Sequence, residues 1–431
     1  MPRDIALWGY GKNGVSTEAL IDGHLGDEFR ITAIFDARAG ELRSATGRTI
    51  LDPTRIAELY QEGLFEQVHI TVFDPSAQSA MRKSLDSWGV PELGGMQDQL
   101  FWGVERFEHA PTSLALDQPG YELHVLRNMR MDIFPGAVTA FVYDASGHVV
   151  RDYWTNYQLH DIPHLALYAP HAESDAVRLP GAWCMLAKSY GTNYWHFTYE
   201  TLDHVWLLER AGYRGNYLLH KSAFAGELLG LLGIDPGRVT WIEDLDSATP
   251  YEFETLVFTL LADDDRRNSA PVLLQMADHV INALPKADQP CPKRIFVKRV
   301  GTRKLRVSQR FLEKRGIETI VPEELSVAQQ IRLFHQADLV LCPHGANSTN
   351  SLYMRPGAAF VETFPMGYVN PCCLETARVG GLRYFPVVET VEREPVATAD
   401  DLRDYEVRSD LLDMVLSNAF DLLGQTRTEQ R

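Results

Sequence analysis

Lys293, Arg294, Lys298, Arg299, Arg303, Lys304 and Arg306 crowd the stretch 293–306, with no acid among them. The chain as a whole carries a formal net charge of −17, so the cluster stands out against its background. A diphosphate leaving group needs cations or oriented N–H groups to meet its developing charge. A basic loop at the C-terminal end of a strand supplies them, and Arg299 and Arg303 are the expected contacts. A solvated basic turn is the alternative. In DLVLCPHGANSTN (338–350) a buried strand runs into Pro343, His344 and Gly345 and then into a small polar stretch able to cap a helix. Ligands of open α/β sheets sit beyond such strand ends. Backbone N–H groups from Gly345 and Ala346 through Asn350 can hold a phosphate there, helped by the helix dipole. His344 can donate to a phosphate or to a sugar. Glu362, at the end of the strand-like GAAFVETF (357–364), suits ribose hydroxyls.

Asn193, Tyr194, Trp195 and His196 open a helical pattern. Glu200 lies four residues beyond His196, hence on the same helix face. A carboxylate so placed fixes an imidazole tautomer and raises its basicity. The alternative is a helix start in which Asn193 caps and His196 packs. Near the N terminus, Gly9, Gly11 and Gly14 follow a strand-like run and precede a helix, and Asp36 ends the next strand-like run. Such glycines permit a tight turn and close approach of a phosphate, and the acid binds ribose hydroxyls. A nucleotide site and a tight but empty turn both fit this pattern.

Composition narrows the classes. The hydrophobic fraction is 45% and the charged fraction 23% over 431 residues, as in ordinary globular chains of two to four domains. The acidic balance argues against nucleic acid as a main partner and against an anionic membrane surface. The five cysteines show no C-x-x-C spacing and an odd count, so reduced thiols are expected, with neither zinc nor a disulfide framework. The opening MPRDIALWGYG has no signal-peptide pattern, and no apolar run approaches the ~20 residues of a spanning helix. The expected location is cytoplasmic, with peripheral attachment to a membrane assembly left open.

These residues need elements to hold them. Strand patterns at 4–8, 30–35 and 67–73 alternate with helix patterns at 15–25, 53–62 and 76–89, which implies a parallel sheet covered by helices. Residues 121–150 are β-rich, with a DASG turn. Helical patterns cover 190–232 and 268–285, and the Pro-rich 285–292 reads as a crossover. The last part is again β/α: strands at 294–299, 338–343 and 357–364, a helix over VAQQIRLFHQA, and a final helical stretch at 399–424. The expected domains are a Rossmann-like 1–115, then 116–288, then 289–431.

Taken together, NYWH (193–196), RIFVKR (294–299), PEELSVAQQ (322–330), PHGANSTN (343–350) and GAAFVETF (357–364) resemble glycosyltransferase family 61 in order and spacing. The resemblance spans roughly 120–390. It departs from the family pattern at Lys298, at Gln329, near Val307 and Ser308, and conservatively at Glu200. It implies an α/β fold of GT-B type, a pair of Rossmann-like domains, here with an additional N-terminal Rossmann-like βαβ domain outside the match. It further implies inversion at the anomeric carbon, a nucleotide-diphospho-sugar donor such as a UDP-sugar, a glycan or other hydroxyl acceptor, and no required metal. The DDD at 263–265 reads as a polar turn rather than a metal pair. His196 is then the expected base, oriented by Glu200; Glu200 itself, Asp203 and His344 are the other candidates. The competing classes are an NAD(P)-binding oxidoreductase run by the N-terminal domain and a non-catalytic sugar-nucleotide-binding protein. Against the oxidoreductase, the dinucleotide half is short and no Tyr-x-x-x-Lys pair follows.

Overall fold

The computed structural model describes residues 2–72, 74–93, 101–134, 139–150, 174–187, 190–261, 269–286, 290–389 and 403–429. The chain forms two compact units that are interleaved along the sequence. The first comprises Met1–Thr112, Leu123–Ser189 and Ile242–Leu260; the second comprises Ser113–Glu122, Tyr190–Trp241 and Leu261–Arg431.

The chain opens with β1 (Arg3–Trp8), α1 (Lys12–His24), β2 (Phe29–Phe35), β3 (Ile50–Leu51), α2 (Ile56–Gln61), β4 (Gln67–Ile70) and α3 (Pro75–Trp88). Next come β5 (Phe101–Trp102), β6 (Tyr121–Phe134), β7 (Thr139–Tyr143), β8 (Val149–Val150) and β9 (Val177–Met185). The middle holds α4 (Tyr194–Glu200), α5 (Leu202–Arg210), β10 (Asn216–Leu219), α6 (Ala225–Leu231), β11 (Val239–Trp241), β12 (Tyr251–Leu261) and α7 (Ala270–Ala283). The last part runs β13 (Arg294–Val297), α8 (Gln309–Glu313), β14 (Glu318–Ile320), α9 (Val327–Gln336), β15 (Leu339–Pro343) and β16 (Ala359–Phe364). It closes with α10 (Leu374–Val379), β17 (Arg383–Val388) and α11 (Ser409–Glu429).

In the first unit, β3-β2-β1-β4 make a parallel sheet, the βαβαβ arrangement expected from the alternating patterns. Its core gathers Ala6, Trp8, Phe35, Ile56, Val68 and Leu85. Helix α3 is bounded by local chemistry. Asp74 accepts the Ala77 N–H at 2.7 Å, Pro75 occupies the first turn, and Gly89 ends the helix in a left-handed conformation. A mixed sheet in the order β9-β12-β6-β7-β8-β5 completes the unit.

Glu18 of α1 is fully buried and takes hydrogen bonds from Tyr10, Ser44, Thr46 and Arg48. Burial alone would raise its pKa; those hydrogen bonds outweigh burial and hold it at about 2. An unfolded Glu titrates near ~4.3. The folded state therefore binds its proton less readily than the unfolded state. The stabilisation is complete above the unfolded value and fades as the pH falls through about 2. The unfolding free-energy gap between wild type and Glu18→Gln, read in denaturant by hydrogen exchange at β1 to β4, should shrink as the pH falls from 6 toward 2. A gap that is constant over that range would refute the assignment.

The second unit is built on the parallel sheet β14-β13-β15-β16-β17. Leu339, Leu341, Ala359 and Val361 pack on one face with Leu312, Leu412 and Leu416. Helix α9 starts from a capping box: Ser326 accepts from Gln329 N–H, and the Gln329 side chain accepts from Ser326 N–H. The departure at Gln329 thus keeps the capping function of an acid. Glu227 of α6 adds bonds from Val327 and Ala328 N–H at 2.9 and 2.8 Å. Ser308, at another departure, caps α8.

The expected helical stretch 190–232 is interrupted by β10, which pairs in parallel with β11. Tyr217, Leu218 and Leu219 are all buried, and a short apolar run of that kind has no periodicity to tell strand from helix. Residues 263–265 and 399–402 lie outside the described residues. Among the described residues, no helix is long and apolar enough to cross a membrane.

Candidate functional site

Sheet order places the topological switch point between β13 and β15, because the chain leaves β13 toward β14 and returns on its other side. The loops after these two strands meet. Arg299, just beyond β13, donates from Nη1 to the His344 carbonyl at 3.1 Å and from Nε to the Thr302 carbonyl at 2.8 Å. Its pKa is lowered, first by burial and then by the neighbouring Arg303 charge. Such a cation gains from an anion. A Cβ on Gly345 would collide with the Arg299 guanidinium, so glycine there is what lets the arginine lie across the loop. Arg303 has φ +61°, a left-handed conformation uncommon for a non-glycine residue, and its guanidinium lies 5.4 Å from the Tyr368 ring centroid.

The basic loop is braced from the C-terminal segment. Arg306 N–H donates to the Tyr405 carbonyl, Tyr405 N–H to the Lys304 carbonyl, and Lys304 N–H to Asp404 Oδ1. The buried Tyr405 hydroxyl bonds the Thr363 carbonyl at 2.8 Å. A cavity of about 670 Å³ opens beside the loop, lined by Phe296, Lys298, Arg299, Leu305 and Phe311 among others.

His344 is 4% exposed, and its Nδ1 lies 2.8 Å from Glu362 Oε1. Phe364 stacks on its ring at 4.9 Å. Glu362 is 0% exposed, and its other oxygen accepts the Tyr384 hydroxyl at 2.7 Å. Burial, then the Glu362 charge, raises the Tyr384 pKa, so that hydroxyl stays protonated and donating. The ribose contact expected of Glu362 does not match this geometry. The carboxylate is enclosed, and both oxygens face protein donors.

Helix α4 begins at Asn193, whose side chain accepts the Trp195 N–H at 2.9 Å. His196 Nδ1 lies 2.7 Å from Glu200 Oε2, as the four-residue spacing requires. Trp195 meets the imidazole edge-on at 4.8 Å, and Tyr190 stacks on it at 5.4 Å. Asp203 is 1% exposed and accepts the Tyr121 hydroxyl at 2.6 Å, which ties it to the core.

Three of the sequence segments are joined by one chain of hydrogen bonds, buried at Tyr194 and Asn350 and half-buried at Gln330. Tyr194, beside His196, donates to Asn350 Oδ1 at 2.8 Å; Asn350 Nδ2 donates to Gln330 Oε1 at 3.1 Å; Gln330 Nε2 donates to the Pro322 carbonyl at 2.9 Å. Asn350 is 0% exposed. Residues Ala346–Tyr353 form a 3-10 helix, and like any helix start it leaves its first N–H groups, at Ala346 and Asn347, without intrahelical acceptors.

Residues 194–361 match the family model described as Glycosyltransferase 61. This part of the chain is similar to glycosyltransferase 61. No curated protein matches the chain.

The family region begins at Tyr194 and ends one residue before Glu362, so it encloses the His196–Glu200 pair, the Arg299 loop and the His344–Asn350 loop. The family it resembles is one of glycosyltransferases, which take a sugar donor and an acceptor. Within the matched region, sequence reasoning named His196, Glu200, Arg299, Arg303, His344, Gly345, Ala346 and Asn350, and all lie in the second unit. Asn350 is an internal connector rather than a surface group. Tyr194 and Gln330 were missed as contributors although both stand in quoted motifs. Tyr368, Tyr384 and Tyr405 had no sequence signal, because each acts through a partner far along the chain.

Outside the family region, the N-terminal loop has the expected shape. A Cβ on Gly14 would collide with the Gly9 carbonyl oxygen, whereas open space surrounds Gly11. Asp36 accepts the Tyr10 N–H at 2.6 Å and the Arg38 N–H at 2.9 Å, so it closes the loop from the neighbouring strand. Among the described residues, no group of three or more His, Cys, Asp or Glu side chains is placed to hold a metal ion.

Proposed function

We propose that the chain transfers a sugar, with inversion, from a nucleotide-diphospho-sugar, most simply a UDP-sugar, to a hydroxyl of a growing glycan. The observation that carries this reading is the contact of Arg299 with the His344 carbonyl at the switch point of the sheet, inside a region similar to glycosyltransferase 61. Arg299 and Arg303 meet the diphosphate charge, and the N–H groups at the start of the 3-10 helix add to it. The cavity beside Arg299 has a volume in the range of small-ligand sites and an apolar floor suited to a nucleobase. His344 points a fixed tautomer at the donor, held by Glu362 and stacked on Phe364. His196 takes the acceptor proton on Nε2 while Glu200 holds Nδ1. The acceptor oxygen then bonds the anomeric carbon, the bond from that carbon to the diphosphate breaks, and its electron pair leaves on the diphosphate oxygen.

Capsular or other surface polysaccharide synthesis is the biological setting this chemistry suits. Pairing of two Rossmann-like domains in the GT-B manner, a metal-free reaction and work at the cytoplasmic face belong to the same proposal. A nucleotide bound by the N-terminal glycine loop belongs to the same proposal. Incubation with a panel of nucleotide sugars, followed by donor hydrolysis and product analysis, tests the reading. Release of no nucleoside diphosphate from any donor would refute it.

Arg299→Ala should weaken UDP binding by ~1.5–3 kcal/mol, the range for a hydrogen bond to a charged group. Gly345→Ala should act in the same direction, because it displaces the same guanidinium. Isothermal calorimetry reads both, and unchanged affinity in Arg299→Ala would remove that residue from the site.

A further inference from the structure

We propose that Cys372 and Cys373 form an oxidation site: a peroxide joins their sulfurs in a disulfide between sequence neighbours, and the bond loosens α4, the helix that carries His196. All five cysteines are free; Cys184, Cys342 and Cys373 are buried, and Cys291 and Cys372 are partly exposed. The sulfurs of Cys372 and Cys373 lie 3.8 Å apart. Cys372 is therefore a thiol that solvent reaches with a second, buried thiol beside it. The Cys372 thiolate attacks one oxygen of hydrogen peroxide, the O–O bond breaks, and the sulfur becomes a sulfenic acid with release of a water. The Cys373 sulfur then displaces the hydroxyl, which leaves with the Cys373 proton as a second water, and the S–S bond forms. The two thiols lose two electrons and two protons, and the peroxide is reduced to water. A thiol without such a neighbour would go on to the sulfinic acid.

The bond closes a small ring that includes the peptide link between the two residues, so it resets the backbone at Cys373. That residue sits just ahead of α10, with φ −98° and ψ −4°. Its carbonyl accepts the Ala377 N–H at 3.0 Å and the Thr376 hydroxyl at 3.1 Å. Thr376 gives its proton to that carbonyl, so in the 3.0 Å contact between the Thr376 and Tyr199 hydroxyls it is Tyr199 that donates. Tyr199 lies on α4. It stacks on Trp195 with centroids 5.2 Å apart, and Trp195 meets the His196 imidazole edge-on at 4.8 Å. Turning the Cys373 carbonyl moves Thr376 and takes the acceptor from a buried tyrosine hydroxyl, a loss felt along the aromatic stack behind the imidazole. On the sugar-transfer reading above, the His196–Glu200 pair would then answer to oxidation; the oxidation itself does not depend on that reading.

Hydrogen peroxide applied to the full chain tests this, read by thiol titration after denaturation, by peptide mass mapping, and by amide hydrogen exchange in α4. In wild type, two of the five thiols should disappear together. The peptide holding Cys372 and Cys373 should lose two hydrogens without gaining oxygen. Exchange across Tyr194–Glu200 should quicken roughly 2- to 10-fold, the size of one hydrogen bond lost. Dithiothreitol should reverse all three changes. Cys372→Ser should leave α4 exchange unmoved by peroxide, whereas Cys291→Ser, which removes the other partly exposed thiol, should respond as wild type does. Oxygen added at Cys372 with Cys373 still free would overturn the oxidation site. A disulfide formed there with α4 exchange unchanged, or quickened as much in Cys372→Ser, would overturn the coupling. Wild type before and after dithiothreitol carries the test should a variant fail to fold. None of these readouts uses a sugar donor, so a chain that transfers no sugar yet responds to peroxide in this way would count against the transferase reading alone.

Discussion

His196→Ala is expected to lower sugar transfer by ~10²–10⁴-fold, the usual contribution of a general base, while UDP affinity stays near wild type. The geometry supports that split. His196 stands on α4, and its contacts include Glu200 at 2.7 Å, the Trp195 edge and the Tyr190 face. The anion-binding groups stand on the loops after β13 and β15. Removing the imidazole therefore deletes the proton acceptor without touching Arg299. Glu200→Gln should lose less, since an amide oxygen still accepts from Nδ1 but brings no negative charge to steady the imidazolium. Single-turnover transfer and calorimetry on the same preparations separate the two quantities. Normal turnover in His196→Ala, or loss of UDP binding before loss of transfer, would show that the histidine is structural or a donor ligand.

The largest expected effect on stability comes from Glu362→Ala. Glu362 is 0% exposed, and it accepts from both His344 Nδ1 and the Tyr384 hydroxyl. Its removal strands two donors in the interior, at ~1–3 kcal/mol each, and leaves a void on top of that. A loss of at least about 2–6 kcal/mol is expected, with the void adding to it. Glu362→Gln should fall between wild type and Ala, because the amide satisfies one donor and turns its own N–H₂ toward the other. Since the protein has two compact units, a single melting temperature is a poor reporter. Denaturant unfolding followed by hydrogen exchange at β15 and β16 reads the second unit directly. An unchanged unfolding free energy in Glu362→Ala would show that the His344–Glu362–Tyr384 arrangement contributes no stability.

The sequence made the parallel sheets legible because their strands are short apolar runs closed by Gly, Pro or charged residues, as in RIFVKR and DLVLCP. It made the His196–Glu200 contact legible because both residues share one helix and four-residue spacing is local geometry. It did not disclose β10 or β9, while β12 does open with a strand-like alternation, Tyr251 and Phe253 against Glu252 and Glu254, that went unread. Nor did it disclose that Glu362 is enclosed. A carboxylate at the end of a strand reads as a ribose ligand until its neighbours are seen, and Tyr384 comes from the adjacent β17. Asn350 raises the same difficulty. A polar residue in a polar loop looks solvent-facing, yet the partners that make it internal, Tyr194 and Gln330, come from elements distant in sequence.

The interleaving of the two units bears on how the protein is made. The first unit takes β12 from residues beyond 241, and the second takes Ser113–Glu122 from a stretch inside the first. A chain emerging from the ribosome cannot finish one unit before starting the other, because β12 lies between β9 and β6 in its sheet. The small sheet with its own core, β1 to β4, can settle early. The strands that await Tyr251–Leu261 stay exposed along their edges until more than half of the chain has been synthesised. Such non-local pairing folds slowly and invites misassociation in the interval. Shorter versions that end before β12 should accumulate as insoluble material, however well their own sequences are chosen.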